Sequence, residues 1–77
     1  MSIRQETIVD ILSRNPQGMT AQEIGDEMVK LGMTGSTSSN AKVGQALRIL
    51  QRYGKVRPVG ERKWRNGATI IVWGLVV

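Results

Sequence analysis

Asn66-Gly67 splits the last part of this 77-residue chain into two unlike arms. "KVRPVGERKWR" precedes it and is rich in bases; "ATIIVWGLVV" follows and is almost wholly apolar. Asn-Gly between two extended runs is the strongest short-range hairpin signal, because both central residues of a type I′ turn need positive φ. The pattern predicts one strand over about 55–65 and a second over about 68–76. A two-residue turn would set Arg65 opposite Ala68, Lys63 opposite Ile70 and Glu61 opposite Val72. Pro58 would break a central strand, so the first strand should be an edge, and Gly60 marks a bulge. Ile71, Trp73, Leu75 and Val77 share one face of the second strand, with Trp73 and Leu75 expected against the core. Ile70, Val72 and Val76 alternate with them, so both faces of this strand are apolar.

The stem of such a hairpin needs a core, and helical periodicity supplies one. Ile3, Ile8, Ile11 and Leu12 form an apolar stripe over about 2–14, with Ser2 as a cap and Asp10 and Arg14 paired four residues apart. "RNPQG" stops this helix, since Asn15 precedes a proline. "GMT" is a short extended piece with Met19 inward. "TAQE", residues 20–23, is a capping box that starts a second helix. Ala21, Ile24, Met28 and Leu31 mark its inner face and Gly32 its end. Glu23, Asp26 and Glu27 read as solvated helix charge. After a polar connector, in which Met33 can anchor, Thr37, Ser38 or Ser39 caps a third helix over about 38–53. Val43, Ala46, Leu47 and Leu50 form its buried stripe, and Gly54 stops it. On a wheel of 100° per residue, Ala41, Gln45, Arg48 and Arg52 then point directly away, flanked by Ser38 and Lys42. No acid lies anywhere in this helix.

Charge is distributed unevenly along the chain. Residues 1–40 hold three bases against five acids, a net −2; residues 41–77 hold eight bases against one acid, a net +7. Such asymmetry suits a surface that faces a polyanion, the bland alternative being a solvated basic surface. Cysteine and histidine are absent. Disulfide staples are excluded and a zinc site would have to be all carboxylate; the six acids show no recognisable catalytic spacing, which leaves no group placed for general acid–base or nucleophilic chemistry. The chain is therefore expected to be a non-enzyme with no cofactor, metal or small-molecule ligand. Its opening residues are polar and periodic, unlike a secretory signal, and its longest apolar run, nine residues over 69–77, is too short to span a membrane. A cytoplasmic or nucleoid-associated protein is expected. The length suits one domain, 1–77, with a thin core.

The order helix, short strand, helix, helix, strand, basic turn, strand resembles the winged helix-turn-helix domain. "TAQEIGDEM" looks like the second helix of that motif, and "NAKVGQALRILQRYGKV" looks like its recognition helix running into the wing. Leu47, Leu50, Gly54, Lys55 and Val56 follow a pattern common in such domains, and Trp73 and Leu75 match its usual last strand. The resemblance covers nearly the whole chain, with the helix-turn-helix at about 20–53 and the wing at about 55–76. The connector over 32–37 is longer than the tight turn of a minimal helix-turn-helix. Positions that carry asparagine and tyrosine in winged helices for left-handed duplexes hold Gly44 and Arg48 here, and no proline pair precedes Trp64, so that subclass is set aside.

The resemblance implies an α+β fold, a three-helix winged helix-turn-helix with a C-terminal β-hairpin wing, that binds double-stranded DNA. Its third helix would enter the major groove, and its wing would reach the backbone or the minor groove. Side-chain chemistry agrees. Arg48 and Arg52 can fork onto guanine or grip phosphate, Gln45 can pair with adenine, and Ser38 and Lys42 suit phosphate. Arg62, Lys63 and Arg65 supply sequence-blind attraction, and Trp64 can pack on sugar or donate to phosphate. Rival roles exist: Trp64 covering the sheet, Arg52 capping its helix, Lys55 and Arg57 solubilising an edge strand. A small transcriptional regulator of bacterial or phage-like scale is the leading expectation. A protein-interaction module or homodimer using Ile70, Val72 and Val76 is the alternative. RNA binding ranks lower, since only Trp64 and Tyr53 could stack on bases.

Overall fold

A computed structural model of the chain describes residues 3–33, 40–63 and 66–76, with Asn40 described by its backbone alone. The elements run α1 (Ile3–Ser13), β1 (Met19–Thr20), α2 (Ala21–Lys30), α3 (Asn40–Arg52), β2 (Val56–Lys63) and β3 (Thr69–Leu75). The fold is α+β: three helices against one three-stranded antiparallel sheet of order β1-β3-β2. The caps expected at Ser2, Thr37, Ser38 and Ser39, and the face expected for Val77, lie outside the described residues.

Each helix buries the stripe its periodicity marks. Ile8, Ile11 and Leu12 of α1, Ile24 and Met28 of α2, and Val43, Ala46, Leu47 and Leu50 of α3 join Met19, Val56 and Trp73 in one core. Ala21, Met33 and Leu75 pack against it, partly buried. Two stripe positions depart from expectation. Ile3 is 76% exposed and Leu31 53% exposed. Both sit at helix ends: Ile3 opens α1 and Leu31 is the cap residue that follows α2. Asp10 and Arg14 form the expected exposed pair at 2.7 Å.

The helix ends follow local chemistry. The Thr20 N–H donates to Glu23 Oε1 at 3.0 Å and the Glu23 N–H donates to Thr20 Oγ1 at 3.2 Å, completing the capping box. At the far end, the Met33 N–H donates to the Met28 carbonyl and the Gly32 N–H to the Val29 carbonyl, both at 3.0 Å. The end of α3 repeats the pattern: Lys55 N–H to the Leu50 carbonyl at 2.9 Å, Gly54 N–H to the Gln51 carbonyl at 3.0 Å. Both are Schellman turns, which need a left-handed residue after the cap, and Gly32 (φ +86°) and Gly54 (φ +73°) supply it. The second turn delivers the chain directly into β2.

β2 is an edge strand, as Pro58 requires, and its register with β3 shifts between Pro58 and Gly60. Val59 is the extra residue. The register itself differs from expectation by one residue: Lys63 pairs with Thr69, Arg62 with Ile70 and Glu61 with Ile71. A two-residue turn centred on Asn66-Gly67 would need Lys63 opposite Ile70, so the observed register excludes it. The reason is Asn66, whose φ is not positive; Gly67 alone is left-handed, at φ +84°. Asn66 Oδ1 instead accepts the Ala68 N–H at 3.0 Å, bracing a longer loop.

The outer face of the sheet is covered at Val72 from within the chain, while Val59 and Val76 stay exposed. Val72, expected to face outward as an interface residue, is only 6% exposed. The bulge places Val59 on this face. A Cβ built on Gly18 would lie 2.8 Å from both Val59 Cγ2 and Val72 Cγ1, and one built on Gly74 would lie 2.8 Å from Val59 Cγ1. Val59 and the Gly18 backbone thus cover Val72. Gly18 reaches this place through a turn, Asn15 to Gly18, closed by the Gly18 N–H on the Asn15 carbonyl at 2.9 Å. Pro16 takes the turn position that favours a fixed φ. On the helix-facing side Trp73 is buried and Leu75 half-buried, as expected, while Ile71 is exposed nearer the hairpin tip.

Candidate nucleic-acid interface

α3 positions a polar face by burying its opposite one. Val43, Ala46, Leu47 and Leu50 lock the helix rotation against α1 and α2, leaving Ala41, Lys42, Gln45, Arg48 and Arg52 exposed. Ala41, Gly44, Gln45 and Arg48 line a shallow open depression there. From Gln45 to Arg52 the face runs ~10 Å along the helix axis, about the rise of three base pairs. Gly44 makes the surface low just before Gln45, between Ala41 and Arg48: a Cβ there would meet nothing within 4 Å.

Most bases from α3 onward lack local answers. Asp10 pairs with Arg14, Glu27 with Lys30 at 3.1 Å, and Glu23 with Arg62 at 2.9 Å. Among the described residues no carboxylate pairs with Arg48, Arg52, Lys55, Arg57 or Lys63. All five are exposed: Arg48 and Arg52 lie in α3, Lys55 in the turn that ends it, and Arg57 and Lys63 in β2. Unpaired exposed cations repel one another and raise the local positive potential.

The expected wing residues divide. Arg62 and Lys63 stand near the distal end of β2, while Ser38, Trp64 and Arg65 lie outside the described residues. Arg62 is engaged with α2. One oxygen of the Glu23 carboxylate caps the helix and the other accepts from Arg62 Nη1. The Glu23 pKa is lowered, first by the Thr20 N–H and then by Arg62, against a partial rise from burial. The sequence pattern gives Glu23 a capping role and otherwise a solvated charge; no local pattern joins it to Arg62, because the register alone brings them together. With the expected slip of one residue Lys63, not Arg62, would stand opposite Ile70. Around the pair, Thr20, Gln22, Asp26, Lys63 and Ile70 line a shallow open groove.

Of the residues expected at an apolar interface, Val76 is exposed, Ile70 half-buried and Val72 covered. No three acids lie together in a way that could hold a metal ion, and no helix is long and apolar enough to cross a membrane, among the described residues. Comparison with protein-family models, with curated proteins and with solved structures finds no match to this chain.

Proposed function

We propose that this chain is a winged-helix domain that binds double-stranded DNA through the outer face of α3, with its basic hairpin against the phosphate backbone. The observation that carries the reading is the acid-free face of α3, where Gln45, Arg48 and Arg52 are exposed and neither arginine has a described carboxylate partner. Element order and sheet order support the winged-helix assignment: a helix pair leading into a hairpin whose second strand is central. In this reading Arg48 forks onto a guanine edge or a phosphate, Gln45 reads an adenine, and Lys42 and Arg52 grip backbone on either side. The low point at Gly44 lets the helix approach the groove floor. Lys63, with Trp64 and Arg65, extends the contact along the backbone.

In this reading the protein acts by occupancy, as a small cytoplasmic or nucleoid-associated regulator, and not as an enzyme. The rival interface on β3 is less supported, because the covering of Val72 removes its centre. Amide chemical shifts of the labelled protein titrated with a generic duplex test the reading. Shifts concentrated at 41–52 and 62–68 are expected. Shifts confined to 70–76, or none at low salt, would contradict it.

A further inference from the structure

Two of the three ion pairs among the described residues are local to one helix, four and three residues apart. The third, Arg62 with Glu23, joins the outer strand of the hairpin to the first turn of α2. β1 borders β3 on the side away from β2, and only at Met19 and Thr20, opposite Trp73 and Val72. Among the described residues the hairpin beyond Val72 therefore has no third strand beside it, and every one of its own described residues except Ile70 is exposed. Such a ribbon is free to rock about its stem unless something ties it down. Arg62 spans the central strand at its register partner Ile70 to reach Glu23.

We infer that Arg62 and Glu23 form a latch that sets the angle of the basic hairpin against α2, making Arg62 a positioning residue for the polyanion and not one of its contacts; this rests on the duplex-binding reading. The Glu23 carboxylate is already held by the cap, one oxygen on the Thr20 N–H at 3.0 Å, so its second oxygen offers Arg62 a fixed target. A pre-positioned partner costs less side-chain entropy than two free chains meeting. Both side chains remain about half exposed, 52% for Arg62 and 41% for Glu23, which suits a tie of modest strength. Holding the hairpin in one orientation lowers the ordering cost that binding would otherwise carry.

The test uses Glu23→Gln, Arg62→Ala and their combination. Glutamine serves a capping box as glutamate does, so Glu23→Gln removes the ion pair while keeping the helix start. Two readouts are needed: anisotropy of a fluorescein-labelled duplex of generic sequence across a salt series, and amide hydrogen exchange of residues 69–71 without DNA. A latch predicts that each single variant weakens duplex binding about two- to fivefold and that the double variant is no worse than either. It also predicts an unchanged salt slope, because no phosphate contact is lost, and faster exchange at 69–71 in both single variants. Tighter binding by Glu23→Gln, with a slope shallower by about 0.9 in Arg62→Ala, would make Arg62 a phosphate contact and overturn the inference. Unchanged exchange would overturn it whatever the duplex does. If the wild type does not bind duplex while exchange quickens in both variants, the duplex reading falls, and with it the role given to Arg62, but the tie between hairpin and α2 stands.

Discussion

α2 and α3 are built alike and charged differently. Each buries one apolar stripe in the same core, and each ends in a Schellman turn on a left-handed glycine. Yet α2 carries Glu23, Asp26 and Glu27 with Lys30, and two of its acids are paired with bases. α3 carries Lys42, Arg48 and Arg52 and no acid. The needs of the core explain the likeness. They do not explain the charge, since any mixture of signs would solvate an outer face equally well. The difference is therefore where function is to be sought.

The likeness can be broken first at the core. Ile24→Ala in α2 and Leu47→Ala in α3 each empty a fully buried site. Each is expected to cost about 2–5 kcal/mol in urea unfolding, a large share of the roughly 4–12 kcal/mol usual for this length. A large gap between the two would show that the helices do not share one core. The difference can be sharpened next on the outer faces. Arg48→Ala should lower duplex affinity by about 1–3 kcal/mol, whereas Glu27→Gln on α2 should leave it within about twofold. Equal effects from both, read by anisotropy, would remove the functional contrast.

Glycines give a smaller contrast between the middle of α3 and the turn that ends it. Gly54→Ala forces a left-handed alanine and should destabilise by about 1 kcal/mol. Gly44→Ala adds a methyl into open space in mid-helix and should stabilise by up to ~1 kcal/mol. Thermal unfolding decides the signs. The smallest effect concerns pH. The folded Glu23 pKa lies below its ordinary value, so its contribution is present above the unfolded pKa and is lost as pH falls through the folded one. Both partners are more than a third exposed, so this contribution stays under ~1 kcal/mol. Glu23→Gln should flatten the acid limb of the stability curve by that much. A steeper limb in the variant would reverse the sign.

The helices, their stops and most of the core were legible because their causes are local. Thr20 and Glu23 cap through neighbouring amides, Gly32 and Gly54 end helices through their own φ, and the stripes repeat at the helical period. Errors gathered where distant residues decide. Asn66-Gly67 signals a hairpin, but whether Asn66 takes positive φ depends on how the whole ribbon closes. Alternation along β3 places Val72 on the outer face, yet Val59 and Gly18 cover it from other parts of the chain. Of the site, the α3 face was readable because one helix holds it. The Arg62–Glu23 tie was not, since it depends on a register that a one-residue slip would change.

The most direct test of the central claim is the affinity of the full chain for a generic labelled duplex as a function of salt. Binding in the micromolar range at low salt is predicted, with log affinity falling linearly in log salt and a slope set by the number of phosphates neutralised. Arg48→Ala should lower the whole line. No binding at low salt, or binding indifferent to salt and to Arg48, would contradict a role for the acid-free face of α3 in holding DNA.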